Sequence, residues 1–186
     1  MLKTFIPKHG GYQKLLSYQK AEIVYLATVN FTSRFFQSRD RTVDQMVQAA
    51  RSGKQNIAEA SSGSGTSKEF EIKLTNVARA SQEELLIDYR DFLHIRNLVE
   101  WPKDHAYALR LRELNRQPNS TYETFRKGIE NQDPVICANV IIGLIKVTNY
   151  LLDQQIRKLE QDFLKDGGLR ERMTKARLAS RANYNH

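Results

Sequence analysis

The sequence predicts an all-α protein: an antiparallel up-down four-helix bundle with a short helical excursion between the third and fourth helices and a basic C-terminal extension. Two observations predict it. Apolar residues return every three or four positions in four long stretches, and Gly, Ser and Pro punctuate the chain between those stretches. A third removes the main competitor. The β-branched cluster Val140-Ile141-Ile142 invites a strand, but it lies inside a helical stripe far longer than any strand. At 186 residues the chain is long enough for one domain with a substantial core and too short for two ordinary domains with a linker. The bundle is expected over residues 1–168, the excursion over about 97–133, and the basic suffix over 169–186.

The elements follow in order. After Gly10-Gly11, the residues Leu16, Ile23, Ala27, Phe31 and Phe35 mark one face of a first helix. Thr42-Val43-Asp44-Gln45 has the form of a capping box, and Val43, Met46, Val47, Ala50 and Ile57 give the second helix its apolar face. Ser61-Ser62-Gly63-Ser64-Gly65 stops that helix. Thr66 with Glu69 reads as another capping box. It starts a third helix that carries Phe70, Leu74, Val77, Ser81, Leu85, Tyr89, Phe92 and Ile95 over about seven turns.

Pro102 suits the first turn of a shorter helix with Ala106, Leu109 and Leu114, ended by Pro118-Asn119-Ser120. Asp133-Pro134 is an N-cap followed by a proline at the first helical position, and Gly167-Gly168 ends the helix so begun. Its stripe is Ala138, Ile142, Ile145, Asn149, Leu152, Ile156, Leu159 and Phe163. Ile141, Leu144, Thr148 and Leu151 line a neighbouring face, so this helix needs cover on more than one side. Either the excursion or another subunit supplies it.

Composition narrows the function classes. Charged residues at 27% beside 40% apolar ones fit a folded chain and exclude wholesale disorder. The single Cys137 sits in an apolar run, which fits a reducing compartment. Met1 to Lys8 has no apolar stretch of signal-peptide length, so Asn119-Ser120-Thr121 reads as a chance match to a glycosylation sequon. The longest apolar run, Val135 to Val147, contains Asn139 and Lys146 and falls short of the roughly 20 residues of a membrane span. A cytoplasmic protein with no membrane partner is expected.

The formal charge of +8 is unevenly placed. Residues 1–33 and 96–127 each carry a net +3, residues 34–90 a net +1, and residues 128–168 are net negative. Half the excess lies in residues 169–186, where Arg170, Arg172, Lys175, Arg177 and Arg181 face only Glu171. This stretch reads either as a polyanion-binding arm or as a merely solvated tail. Arg51, Lys54, Lys68, Lys73 and Arg79 surround the turn between the second and third helices. They read either as a second basic patch or as surface pairs with the interleaved Glu59, Glu69, Glu71 and Glu83.

Catalytic signatures are not found. Asp91-Phe92-Leu93-His94 approaches the carboxylate–histidine spacing of a di-iron helix, but no second helix repeats it, and a plain surface pair is the simpler reading. His9, His94, His105 and His186 share no ligand spacing with one another or with Cys137. Gly63-Ser64-Gly65, with Lys68 three residues on, can hold an anion or simply form an interhelical turn; no Gly-Lys-Ser/Thr follows. Glu83 and Glu84 point about 100° apart and do not face each other, leaving Glu84 as either a buried partner for a base or a solvated side chain. No catalytic, cofactor or metal residue is assigned, and no cofactor is expected.

Several of these segments also carry a resemblance. Ala50-Arg51-Ser52, Gln55-Asn56-Ile57-Ala58-Glu59-Ala60, Ser67-Lys68-Glu69-Phe70, Val77-Ala78-Arg79-Ala80-Ser81 and Glu83-Glu84-Leu85, in this order and spacing, resemble a bacterial family. Its members are the small four-helix-bundle proteins of intervening sequences in large-subunit ribosomal RNA genes. The match covers the second and third helices closely, and the first and fourth by pattern. Ala60 and Ala80 stand where that family commonly has Gly. Gln48 to Ile57 and the residues after Gly167 look most like the subgroup with a C-terminal suffix. The bundle is also similar to the accessory variability proteins of retroelements, pentameric rings that bind nucleic acid and a reverse transcriptase. The resemblance implies a non-enzymatic homo-oligomer, with five copies by analogy, and RNA or DNA as partner. The alternative expectation is a structural adaptor that binds another protein without nucleic acid.

Overall fold

The computed structural model describes residues 10–184 apart from Ser38 and Pro118. The expectations placed on the leader before Gly10, on Pro118 and on His9 and His186 lie outside these residues. Among the described residues every regular element is helical. A 3-10 turn at Tyr12–Lys14 precedes α1 (Leu16–Phe35), α2 (Arg41–Gly63), α3 (Lys68–Ile95), α4 (Ala106–Arg116), α5 (Tyr122–Ile129), α6 (Pro134–Asp166) and α7 (Leu169–Tyr184).

Helices α1 and α3 each pack against both α2 and α6. The pairings run antiparallel. Ser17 Oγ donates to Gln155 Oε1 at 2.7 Å near the start of α1 and the far end of α6, while Arg34 at the other end of α1 donates to the Asn131 carbonyl just before α6. On α3, Glu83 accepts from Asn149 Nδ2 at 2.7 Å, and Arg79 lies 3.5 Å from Asp153 further along α6. Helices α1 and α3 also meet directly, through rings. Phe31 lies 5.0 Å from Tyr89 and 4.8 Å from Phe92, and Tyr89 Oη donates to Thr28 Oγ1 at 3.1 Å.

The starts of α2 and α3 differ from expectation. Asp40, not Thr42, caps α2, accepting from the Thr42 amide at 2.9 Å; a carboxylate two residues upstream outcompetes the Thr hydroxyl for the same free donors. Ser67, not Thr66, caps α3 by accepting from the Phe70 amide at 3.0 Å, and Thr66 instead donates to the Gly63 carbonyl. The Asp133 cap with Pro134 in the first turn stands as expected, as does the stop at Gly167, whose φ of +72° suits glycine.

The stripe expected on α3 slips in its first half. Phe70 and Val77 are exposed, whereas Glu71, Thr75, Ala78 and Gln82 are buried. The cause is the closeness of α2: a Cβ on Gly53 would meet Gln82 Nε2 at 2.2 Å, so only small or slender side chains fit the seam and the bulky ones flank it. Leu16 and Ile95, at helix ends, are also exposed.

Helix α6 keeps its full stripe. Six consecutive residues, Cys137 to Ile142, are buried, so this stretch is covered on every side. The cover comes from the excursion: α4 and α5 lie on the flank that the other long helices leave open. The excursion contains α5 as a separate second helix, and Pro102 falls in the turn before α4, where its carbonyl accepts from the His105 amide. On α4 it is Leu111 that is buried, while Leu109 is exposed. By length and composition the helix from Pro134 onward is able to cross a membrane, which its longest apolar run alone does not suggest; 61% of its most apolar window is buried in this fold, as in a core helix.

Phe31, fully buried among Phe35, Phe36, Tyr89 and Phe92, ties α1 to α3. Phe31→Ala should cost about 3–5 kcal/mol in urea denaturation. A cost as small as that of a surface substitution, about 0.5 kcal/mol, would show that the ring cluster does not hold this end together.

Candidate nucleic-acid interface

The five cations around the α2–α3 turn are not gathered on one face. Lys54 turns toward α1, with its ammonium 4.5 Å from the Tyr25 ring centre. Lys68 pairs with Glu71 at 2.8 Å, and Arg79 turns toward α6 and Asp153. Arg51 and Lys73 are exposed. Pairing within and between helices thus accounts for Lys68 and Arg79. The α3 start is itself occupied: Ser67 Oγ caps it, Glu69 and Glu71 stand in its first turn, and a Cβ on Gly63 would meet the Phe70 ring at 2.7 Å. An anion there would meet two carboxylates.

The suffix forms α7, and its charge is unmatched. Glu171 accepts from the Gly168 amide at 2.7 Å, which holds the one acid at the helix start. Among the described residues no ion pair involves Arg170, Arg172, Lys175, Arg177 or Arg181. At about 100° per residue, Arg170, Arg177 and Arg181 share one face, and Arg172 and Lys175 lie on the opposite side. Arg172 is half-buried, and its Nε and Nη2 have no hydrogen-bond partner among the described residues.

Glu84, weighed above as a buried partner for a base, is exposed. It borders a groove between α2 and α3 with Asp44, Gln45 and Gln48. Its neighbour Asp88 has its carboxyl raised to about 6 by burial, with Glu84 and Asp91 adding like charge. Glu83 is the acid that reaches inward, to Asn149. Asp91 and His94 are both exposed on α3. No group of three or more His, Cys, Asp or Glu side chains among the described residues is placed to hold a metal ion.

Two features of the excursion escape the sequence reading. Lys20, only 5% exposed, donates to Asn115 Oδ1 at 2.9 Å and Ser120 Oγ at 2.6 Å and sits 4.7 Å from the Phe125 ring centre. It clasps α4, the following loop and α5 to α1, has no ion pair among the described residues, and burial lowers its ammonium to about 8. Nothing local signals this, because its partners lie about a hundred residues away. The second feature is a basic cleft beside α4, lined by Arg90, Lys103, Arg112 and Lys146. The net +3 of residues 96–127 signals only Lys103 and Arg112; Arg90 and Lys146 come from α3 and α6.

Compared with protein-family models, with curated proteins and with solved structures, the chain gives no match.

Because Lys20 titrates near 8 in the fold against an ordinary 10.5, the unfolded chain binds more protons between those values. Stability therefore rises with pH across that window as the buried charge is lost. Lys20→Met should flatten the rise, so the Tm of the wild type should gain on that of the variant between about pH 8 and about pH 10.5. Parallel Tm curves would mean that Lys20 does not carry a buried charge.

Proposed function

We propose that this chain is a non-enzymatic, homo-oligomeric protein of the cytoplasm that binds RNA or DNA, with α1, α2, α3 and α6 as an antiparallel up-down four-helix bundle. The antiparallel contacts of α1 and α3 with α2 and α6 support the bundle reading. One observation carries the nucleic-acid reading: α7 has five cations, and its one acid is used to cap its own helix. Arg170, Arg177 and Arg181 rise along one face by about 10 Å and then about 6 Å, an array suited to consecutive phosphates. Of the five cations around the α2–α3 turn, the two that are exposed, Arg51 and Lys73, add long-range attraction rather than a shaped site.

Self-association draws its support from Phe70 and Val77, which α3 leaves exposed beside Leu74, and from Leu164 and Met173 further along the chain. Five copies are what the resemblance to the retroelement proteins implies. The same apolar stripe favours a second reading, a structural adaptor that binds another protein and no nucleic acid. Light scattering should give a mass of several subunits, and Val77→Arg should lower it; a monomer in the wild type removes the homo-oligomer.

Affinity for single-stranded RNA, measured across salt, tests the main reading. The logarithm of the binding constant should fall with that of salt, and Arg177→Ala with Arg181→Ala should reduce the slope by about 1.4, two phosphates at about 0.7 each. No binding at about 50 mM salt, or binding indifferent to salt, leaves the adaptor as the better account.

A further inference from the structure

The cleft beside α4 has a chemistry of its own. It encloses about 590 Å³ between the end of α3, the connector around Trp101, α4 and α6. That volume lies within the range of small-molecule sites. Its cations are Arg90, Lys103, Arg112 and Lys146, and its one acid is Glu100. Glu100 accepts from Arg90 Nε at 3.0 Å and from the Lys146 ammonium, so one carboxylate serves two bases. Lys103 has no ion pair among the described residues, and the Arg112 guanidinium donates only to the Lys103 carbonyl. Four cations against one carboxylate in a partly enclosed space repel one another, and an anion bound there relieves that repulsion.

The other lining groups restrict what the anion carries. The two amides are already used: Asn139 donates to the Val99 and Val135 carbonyls and accepts from the Trp101 amide, and Asn115 accepts from Lys20 and donates to the Leu111 carbonyl. What remains open is apolar or flat. Leu111, Ile142 and Val147 supply its aliphatic lining, and Trp101 and Tyr150 its aromatic lining. The Trp101 indole is braced by His105, stacked at 4.8 Å and 10° between planes, and by Tyr107 at 5.3 Å. A braced ring in an apolar lining receives a planar group, and an Arg–Lys pair in the same cleft receives phosphate.

We propose that this cleft binds a nucleotide unit, with the phosphate at Lys103 and Arg112 and the base on the Trp101 side. The unit comes either as a free mononucleotide or as one nucleotide of a single strand. The site lies on the excursion and stands apart from the role given to α7.

Trp101 is the one tryptophan in the chain, so its fluorescence reports on the cleft directly. The full-length protein is titrated with AMP, with a short oligoadenylate and with inorganic phosphate. Saturable quenching by AMP supports a free nucleotide, and quenching by the oligoadenylate alone supports a nucleotide within a strand. In either case Lys103→Ala with Arg112→Ala should weaken binding at least about tenfold, as loss of charge-assisted bonds requires. Lys103→Ala alone, which leaves the Arg112 bond to the main chain in place, should weaken it in the same direction. Arg177→Ala with Arg181→Ala should leave AMP quenching unchanged. The proposal fails if neither nucleotide quenches, if phosphate alone binds as tightly as AMP, or if the Lys103 variants keep wild-type affinity.

Discussion

Helix α6 is buried at six consecutive positions, and a helix can be covered that fully only from several directions at once. This need organises the molecule. Helices α1 and α3 cover two flanks, and α4 and α5 close the rest with Leu111, Phe125 and Ile129. The excursion is therefore part of the core. It removes the apolar flank that, without it, would have to be met by a second copy of the chain. The bulky apolar residues left exposed on α3, Phe70 and Val77, flank the α2–α3 seam instead.

Apolar cover alone does not set the register of helices that can slide along one another. Here polar bonds at separate heights do so: Ser17 with Gln155, Thr28 with Tyr89, and Asn149 with Glu83. Asn139 performs the same task for the connector, satisfying Val99 and Trp101 from inside the core. Ser17, Thr28, Tyr89, Asn139 and Asn149 are buried and costly if left unpaired, so a shift by one turn forfeits several bonds together. Two buried amides depart from this pattern among the described residues: Asn149 Oδ1 has no partner, and neither amide atom of Gln82 has one, where a Cβ on Gly53 of α2 would meet it.

The helices themselves were legible because a stripe of three- and four-residue spacing is a local signal. Asp133-Pro134 and Gly167 were legible as well, since caps and stops act within one turn. What misled was competition between neighbours: Asp40 and Ser67 take donors that Thr42 and Thr66 are equally able to take in sequence. The slip on α3 comes from Gly53 on another helix, and no periodicity within α3 contains that information. Lys20 shows the limit most clearly. A lysine between Gln19 and Ala21 reads as surface, and only the partners that α4 and the loop before α5 bring to it make it an interior group. The charge of α7 was readable as composition; that Glu171 is held by the Gly168 amide was not.

Helix α4 is held by little. Leu111 is its one buried residue, seated where Gly143 leaves room, since a Cβ there would meet Leu111 Cδ2 at 2.2 Å. One leucine in one gap anchors the helix but does not fill the space to either side, and a cleft lies on each flank of it, with Trp101 common to both. A better-packed α4 would bury α6 more completely and close those clefts. The connector before α4 and Lys20 at its far end compensate, holding the helix by polar clasps where apolar packing is thin. The openness of the cleft and the buried lysine are thus two consequences of one arrangement: a short helix that covers α6 at a single point and is tied down at both ends.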